Sequence, residues 1–333
     1  MHKRDFIDLR SFSREELEQI LLDAEAIKSG QKDVSQVLSG KTLGMLFSVA
    51  STRTRLSFLA GTRQMGGHAE YLNTGDLQLK NRETVTDTAR VMDRFLDGLI
   101  VRMYDMKSYG SGREALETIA ANTSFPVINA LDDKDHPCQV MSDVLTIKEQ
   151  LGPDFRKKKV LLTWGFAQRQ KSPGVTHSMM SAAALLGMNL EVAFPEGFEP
   201  DEAYINFAKK QAALSGGQLS FSHNMMAAAE GADVIYVKSW KALNLSDEDE
   251  LAIKNSVRAD WCLSSRHFEA ASQHAVYMDC LPSIRGEEVT AEVKDGPRSI
   301  IFDEAGNRLY MQKAIMNFVF EKIKAPHHIP LFT

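Results

Sequence analysis

The sequence predicts an α/β protein made of two doubly wound parallel-sheet domains flanked by helices. Three observations predict it. Short apolar runs alternate with longer amphipathic stretches along most of the chain, the pattern of strands covered on both faces by helices. The 333 residues exceed what one hydrophobic core ordinarily serves. A charged, glycine-containing stretch, Gln150–Lys159, interrupts the alternation near its middle and reads as a hinge. The expected first domain is therefore residues 1–150 and the second 151–306, with a last helix over 307–325 packing back on the first.

Each element has its own signal. Ser13 and Glu16 have capping-box spacing, and Leu17, Ile20, Leu21, Ala24 and Ile27 follow with helical periodicity. Strands are expected at Thr42–Val49, Ala69–Leu72, Gly98–Arg102 and Pro126–Asn129. Helices are expected between them near Thr52–Met65, Glu83–Leu96 and Arg113–Ala121, and from Pro137 to Glu149. A second series opens with the apolar run Lys159–Trp164, suited to a strand buried on both faces. It continues with a helix near Pro173–Leu186, a strand at Asn189–Phe194 and a helix near Asp201–Leu214. Strands at Gln218–Phe221, Asp233–Val237, Ala275–Asp279 and Ser299–Phe302 precede a terminal helix starting near Asn307.

Composition narrows the function. Apolar residues form 44% and charged residues 25% of the chain, as in ordinary soluble globular proteins. The formal net charge of -5 offers no basic footprint for nucleic acid. No run approaches the roughly 18 apolar residues of a membrane span. The three cysteines are scattered and form no CxxC pair, so neither a disulfide framework nor a metal site is expected. With no apolar leader after Met1, a cytoplasmic location is expected.

Three motifs carry chemistry. Ser51-Thr52-Arg53-Thr54-Arg55 sits where an apolar strand hands over to a helix. Unpaired N–H groups there, with hydroxyls and a planar guanidinium, suit a phosphate. Alone, it reads equally as a Ser-capped helix with solvated arginines. Asp135-His136-Pro137-Cys138-Gln139 puts Pro137 at a first helical position, so His136 and Gln139 lie at another helix start. A neutral imidazole there can polarise a carbonyl; alone, His136 reads more readily as a cap. Met278-Asp279-Cys280-Leu281-Pro282, with Arg285 beyond it, follows a strand at the sheet edge where α/β ligands bind. Alone it reads as a turn with a buried cysteine, and with the motif Arg285 could face an anion.

Together, and with Asp87-Thr88-Ala89-Arg90-Val91 and Glu304-Ala305-Gly306-Asn307-Arg308, these motifs resemble the aspartate/ornithine carbamoyltransferase family over nearly the whole chain. The resemblance implies a carbamoyltransferase needing neither metal nor cofactor, with carbamoyl phosphate and a small amine as partners. By it, Ser51, Thr52, Arg53, Thr54, Arg102, His136, Gln139 and Arg308 bind carbamoyl phosphate. Arg102, His136 and Thr54 would stabilise the oxyanion, with Cys280 and Leu281 lending carbonyls near the reacting amines. It also implies a homotrimer in which Gln78-Leu79-Lys80 completes the neighbouring subunit's site.

The acceptor half departs from the ornithine enzymes, which carry an aspartate in a D-x-W-x-S-M-G-like stretch. Lys238-Ser239-Trp240 stands there instead and is similar to N-acetylornithine and N-succinylornithine carbamoyltransferases. The long loop between Trp164 and Ser178 is similar to the same group, implying a knot in the second domain and acceptor contacts from Lys238, His177, Trp164, Cys280 and Leu281. Asp279 replaces a usual histidine and His177 a usual asparagine, whereas Asn129-Ala130-Leu131-Asp132-Asp133 resembles the ornithine enzymes. The expected acceptor is an N-acylated ornithine in arginine biosynthesis, with ornithine, a diamine or another amine as the alternative. Outside catalysis, a regulatory anion binder is the competing class. A nicotinamide enzyme would need Gly110-Ser111-Gly112 to follow a strand directly, which it does not.

Overall fold

A computed structural model describes residues 3–78 and 83–321. The chain opens with α1 (Arg14–Lys28), started by the expected capping box: Ser13 Oγ accepts from Glu16 N–H, and Glu16 Oε2 from Ser13 N–H. Then follow β1 (Thr42–Phe47), α2 (Thr52–Gln64), β2 (His68–Asn73), α3 (Val85–Met92), β3 (Gly98–Arg102), α4 (Ser111–Ala121), β4 (Val127–Leu131) and α5 (Pro137–Leu151). The second half contains β5 (Lys159–Trp164), α6 (Gly174–Leu186), β6 (Asn189–Ala193), α7 (Glu202–Ser215), β7 (Gln218–Ser222) and α8 (Met225–Ala229). It ends with β8 (Val234–Lys238), α9 (Asp247–Val257), α10 (Ser265–Ala270), β9 (Val276–Met278), α11 (Ala291–Lys294) and α12 (Ile301–Glu321).

Both sheets are wholly parallel, in the orders β2-β1-β3-β4 and β7-β6-β5-β8-β9. In each, the chain winds outward one way and then returns to the other side of its first strand. The reversal opens a crevice beyond the carboxyl ends of β1 and β3 in one sheet and of β5 and β8 in the other. Phe47 pairs with Arg102 at the first reversal, and Trp164 with Lys238 at the second.

The expected last strand, Ser299–Phe302, does not form. Ser299 makes a single parallel bridge to Tyr277, and α12 begins two residues later. Asp303 and Glu304 in its first turn complement the helix dipole, so the helix starts earlier than the apolar spacing after Asn307 suggests. The helix then packs against α1, α2 and α5. The two halves share one continuous apolar cluster, running from α1 and β1 through α5 and α6 to β5 and β8. No helix among the described residues is long and apolar enough to cross a membrane.

A polar clasp also crosses between the halves. Arg113 donates to Asp132 (2.5 Å) and Asp135 (2.7 Å) and faces Asp8 at 3.5 Å. From the second sheet's helices, Ser178 Oγ donates to Asp135 (2.8 Å) and Tyr204 O–H donates to the same carboxylate. Burial, with Asp8 and Asp132 beside it, pushes Asp135 up to about 7. Gly112 is required here: an added Cβ would stand 2.2 Å from the Met103 carbonyl oxygen.

Arg113 is the sole cation bonded to these two buried carboxylates among the described residues. Replacing it strands them, which costs on the order of 3–5 kcal/mol. Arg113→Leu should therefore lower the unfolding free energy from urea titration by about that amount; a loss under about 1 kcal/mol contradicts the clasp.

Candidate functional site

The two crevices open into one cavity of about 410 Å³. Ser51, Thr52, Arg53 and Thr54 line it from the start of α2, Arg102 from the end of β3, His136 and Gln139 from the start of α5, and Arg308 from α12. Lys238, Cys280 and Leu281 line the side formed by the second sheet. Eleven of the sequence-predicted residues thus gain Ser239 and Glu288 as neighbours around a single space.

Local folding explains the donors. Ser51 is the N-cap of α2, its Oγ accepting the Thr54 N–H at 3.3 Å, so its own hydroxyl proton is free to point outward. Thr54 Oγ1 accepts from Arg308 Nη2 at 2.9 Å, which likewise leaves the Thr54 O–H as a donor. Arg102 is anchored by its Nε to the Val49 carbonyl at 3.1 Å, leaving the rest of the fork for the cavity. His136 caps α5 with Pro137 after it, and its backbone N–H is gripped by the Gly174 carbonyl (3.1 Å) and Ser178 Oγ (2.9 Å). Gly174 permits that grip, since a Cβ there would lie 2.8 Å from the Asp135 carbonyl carbon. Around the cavity, Arg53 Nε, Arg308 Nε, His136 Nδ1 and Ser239 Oγ are buried and have no hydrogen-bond partner among the described residues.

Electrostatics follow from crowding cations in a buried space. Burial, then the charges of Arg308, Arg102, Lys238 and Arg53, hold His136 well below its usual range, so the ring is neutral at physiological pH. Burial pushes Arg308 down to about 10, with Arg102 and Arg53 adding repulsion. Burial lowers Arg102 as well. Such a cluster is built for an anion bearing more than one negative charge.

On the other side, burial above all lowers Lys238 to about 8, and the described residues give its ammonium no ion pair; it donates only to the Ser239 carbonyl. The Cys280 thiol is pushed up to about 12 by burial, which keeps it protonated near neutrality. The backbone around it is held in place. Asp279, where histidine was expected, fixes that backbone: Oδ1 accepts the Leu281 N–H (2.6 Å) and Oδ2 the Tyr277 O–H (3.0 Å). Leu281 itself adopts a left-handed conformation, φ 54°. Lys171 clasps this turn, donating to the Pro282 carbonyl at 2.8 Å and to Glu288.

Several sequence expectations need correction. His177 does not reach the cavity. Its Nδ1 faces the Lys134 carbonyl (2.9 Å), its Nε2 accepts from Asp201 N–H (3.0 Å), and its ring stacks on Tyr204, so it serves the clasp between halves. Trp164 is wholly buried, donating from Nε1 to the Trp240 carbonyl, and packs on Phe198 and Trp261. Arg285 turns to the surface and pairs with Asp295 rather than facing an anion. Gln78 is not part of the lining formed by its own chain, and Lys80 lies outside the described residues. Sequence reading missed Tyr104, Lys171, Ser239 and Glu288 as lining residues. Lys171 had a signal, lying in the long loop after Trp164, and so had Ser239, in the Lys238-Ser239-Trp240 stretch; Glu288 had none.

Two family descriptions match the chain. "Aspartate/ornithine carbamoyltransferase, carbamoyl-P binding domain" covers residues 4–149, and "Aspartate/ornithine carbamoyltransferase, Asp/Orn binding domain" covers 166–319. Among curated relatives, an ornithine carbamoyltransferase of Thermococcus kodakarensis is 42% identical over 96% of this chain and 98% of its own. An anabolic ornithine carbamoyltransferase of Pyrococcus furiosus is 40% identical, again over 96% and 98%. Among solved structures, the ornithine carbamoyltransferase from Pyrococcus furiosus superposes with a TM-score of 0.85 at 38% identity, covering 97% of this chain and 98% of that one. A mutant N-acetyl-L-ornithine transcarbamylase complexed with carbamyl phosphate and N-succinyl-L-norvaline superposes with a TM-score of 0.88 at 33% identity, covering 94% and 99%.

The charge crowding is directly testable. Arg308→Met removes the largest cationic contribution at His136, so the ring should protonate more readily and its pKa should rise toward 6.5. An imidazole titration by NMR reads this. The same variant should bind inorganic phosphate at least about tenfold more weakly, as loss of a charge-assisted hydrogen bond entails. A downward or absent shift in the imidazole titration contradicts the electrostatic picture.

Proposed function

The chain belongs to the aspartate/ornithine carbamoyltransferase family and is a carbamoyltransferase; we propose that its acceptor is an N-acylated ornithine, in arginine biosynthesis. One observation carries the acceptor assignment. Lys238 lines the cavity with an ammonium that has no carboxylate partner among the described residues. A free α-ammonium would be repelled there, whereas an acyl oxygen or an added carboxylate would be attracted, with the Ser239 hydroxyl beside it. The transcarbamylase complex with N-succinyl-L-norvaline is in line with this reading. A second reading, ornithine itself, is favoured by the names of the relatives at 42% and 40% identity.

In the proposed reaction, Ser51, Thr52, Arg53 and Arg308 hold the phosphate of carbamoyl phosphate, and Gln139 meets the carbamoyl amide. The neutral amine of the acceptor attacks the carbonyl carbon, forming the C–N bond. Negative charge develops on the carbonyl oxygen, where Thr54 O–H, Arg102 and the neutral His136 act as donors. The C–O bond to phosphate then breaks, and the amine's proton leaves with the departing phosphate. Preorganised donors of this kind commonly contribute a few kcal/mol each. The backbone at Cys280 and Leu281 would orient the two nitrogen centres. The assembly proposed is a cytoplasmic homotrimer, with Gln78 and Lys80 of each chain serving its neighbour.

Incubating labelled carbamoyl phosphate with ornithine, acetylornithine, succinylornithine, putrescine, aspartate or diaminopropionate should give ureido product fastest with an acylated ornithine. Lys238→Asp should weaken that acceptor and improve ornithine, with carbamoyl phosphate binding losing far less than acceptor binding does; unchanged acceptor affinity contradicts the assignment.

A pH series gives an independent check. Lys238 is charged below about 8 and neutral above it. Binding of the ureido product, which has no titrating amine left, should therefore weaken as pH rises through 8, by up to about tenfold per unit. Lys238→Gln should flatten the dependence, whereas a flat wild-type profile removes Lys238 from acceptor recognition.

A further inference from the structure

Behind Gln139 lies a buried carboxylate pair that the reaction as described does not use. Gln139 stands in the first turn of α5, and Asp143 one turn later on the same face. Gln139 Nε2 is 2.7 Å from Asp143 Oδ1 and 3.4 Å from Glu304 Oε1, the latter on the first turn of α12. The other oxygens are also occupied. Asp143 Oδ2 accepts the Tyr236 O–H at 2.9 Å, and Glu304 Oε2 accepts the Asp279 N–H at 3.0 Å. The two carboxyls are hydrogen-bonded to each other.

The donor count is decisive. An amide NH₂ has two protons: one donates to Asp143 Oδ1 at 2.7 Å, the ionised member of the pair with no proton to return, and the other faces Glu304 Oε1 at the longer distance of 3.4 Å. Turning the amide over would set its oxygen against the Asp143 carboxylate oxygen. Its orientation is thereby fixed by partners on both sides. Gln139 Oε1 receives no hydrogen bond among the described residues, and Gln139 lines the cavity. We propose that Asp143 and Glu304 are positioning residues that lock the Gln139 amide with its oxygen toward the donor, so that the site selects an –NH₂ over a –CH₃ or –O⁻ on the acyl carbon. The inference rests on the carbamoyl phosphate reading and adds a physical basis for donor choice. Burial holds both carboxyls above their ordinary range, Glu304 the more strongly, which makes Glu304 the neutral member that donates to Asp143.

The test compares carbamoyl phosphate with acetyl phosphate, which shares the phosphate and carbonyl but offers a methyl in place of the amide. In the full-length enzyme, the KM for the first and the inhibition constant of the second give a selectivity ratio. Asp143→Asn provides its own NH₂ or oxygen and so permits Gln139 to turn over. The ratio should fall at least about tenfold, chiefly through carbamoyl phosphate, with acetyl phosphate changing less than about threefold. Glu304→Gln, mimicking the neutral carboxyl, should keep most of the ratio. In a Gln139→Ala background, Asp143→Asn should have no further effect on it. A parallel loss for both compounds, or an unmoved ratio, overturns the positioning role. Wild-type enzyme that transfers no carbamoyl group to any amine would instead sink the functional reading beneath it. Should Asp143→Asn fail to fold, the wild-type Gln139 side-chain amide resonances decide. Both protons should exchange slowly and stay unshifted when carbamoyl phosphate is added, and rapid exchange of either one overturns the lock.

Discussion

Like charges held close together in a buried space are the constraint on which the rest of this molecule depends. Arg53, Arg102, Arg308 and Lys238 line one cavity, and two helix starts add their partial positive ends. Left to themselves these groups would repel, and the structure responds at each. Arg308 is tied to Thr54, Arg102 to a backbone carbonyl, and His136 stays neutral. A polyanion relieves the repulsion, so binding and electrostatic activation arise from the same arrangement. The neutrality of His136 is a consequence of that crowding, and it leaves the ring able to donate to a carbonyl without adding another charge.

The fold makes such crowding possible by bringing two sheet reversals to face each other. Each reversal alone would present a shallow anion or ligand cleft, the common outcome in doubly wound sheets. Here Gly174 lets the start of α6 touch the loop before α5, and the Arg113 clasp fixes that loop to Ser178 and Tyr204. His136 follows directly in the chain. Its placement is therefore determined by contacts to both halves.

Much of this was legible in the sequence, for identifiable reasons. Gly98–Arg102 and Lys159–Trp164 are strands over the ranges read from their apolar runs, because buried parallel strands leave little ambiguity of period. The Ser51 and His136 helix starts could be read from their capping chemistry. What was not legible depended on long-range partners. Nothing local in Ser299–Phe302 distinguishes an edge strand from the start of a helix, and only the absence of a pairing neighbour beyond Ser299 decides it. His177 and Trp164 were assigned to the acceptor by position in a motif, yet their polar atoms are consumed by Lys134, Asp201 and Trp240, which lie far away in sequence. Asp143 was within reach of sequence reasoning, four residues after Gln139 on one helix, but its partner Glu304 comes from α12.

That α12 provides both Arg308 and Glu304 bears on how the protein comes into being. During synthesis the proposed phosphate cradle and His136 emerge well before the helix that ties Thr54 and faces Gln139. A nascent or prematurely ended chain stopping before Ile301 would have most of the cradle but not its closing cation. Thr54 of the cradle and the cation that closes it thus lie 254 residues apart in sequence, and the site is complete only once both segments are folded together.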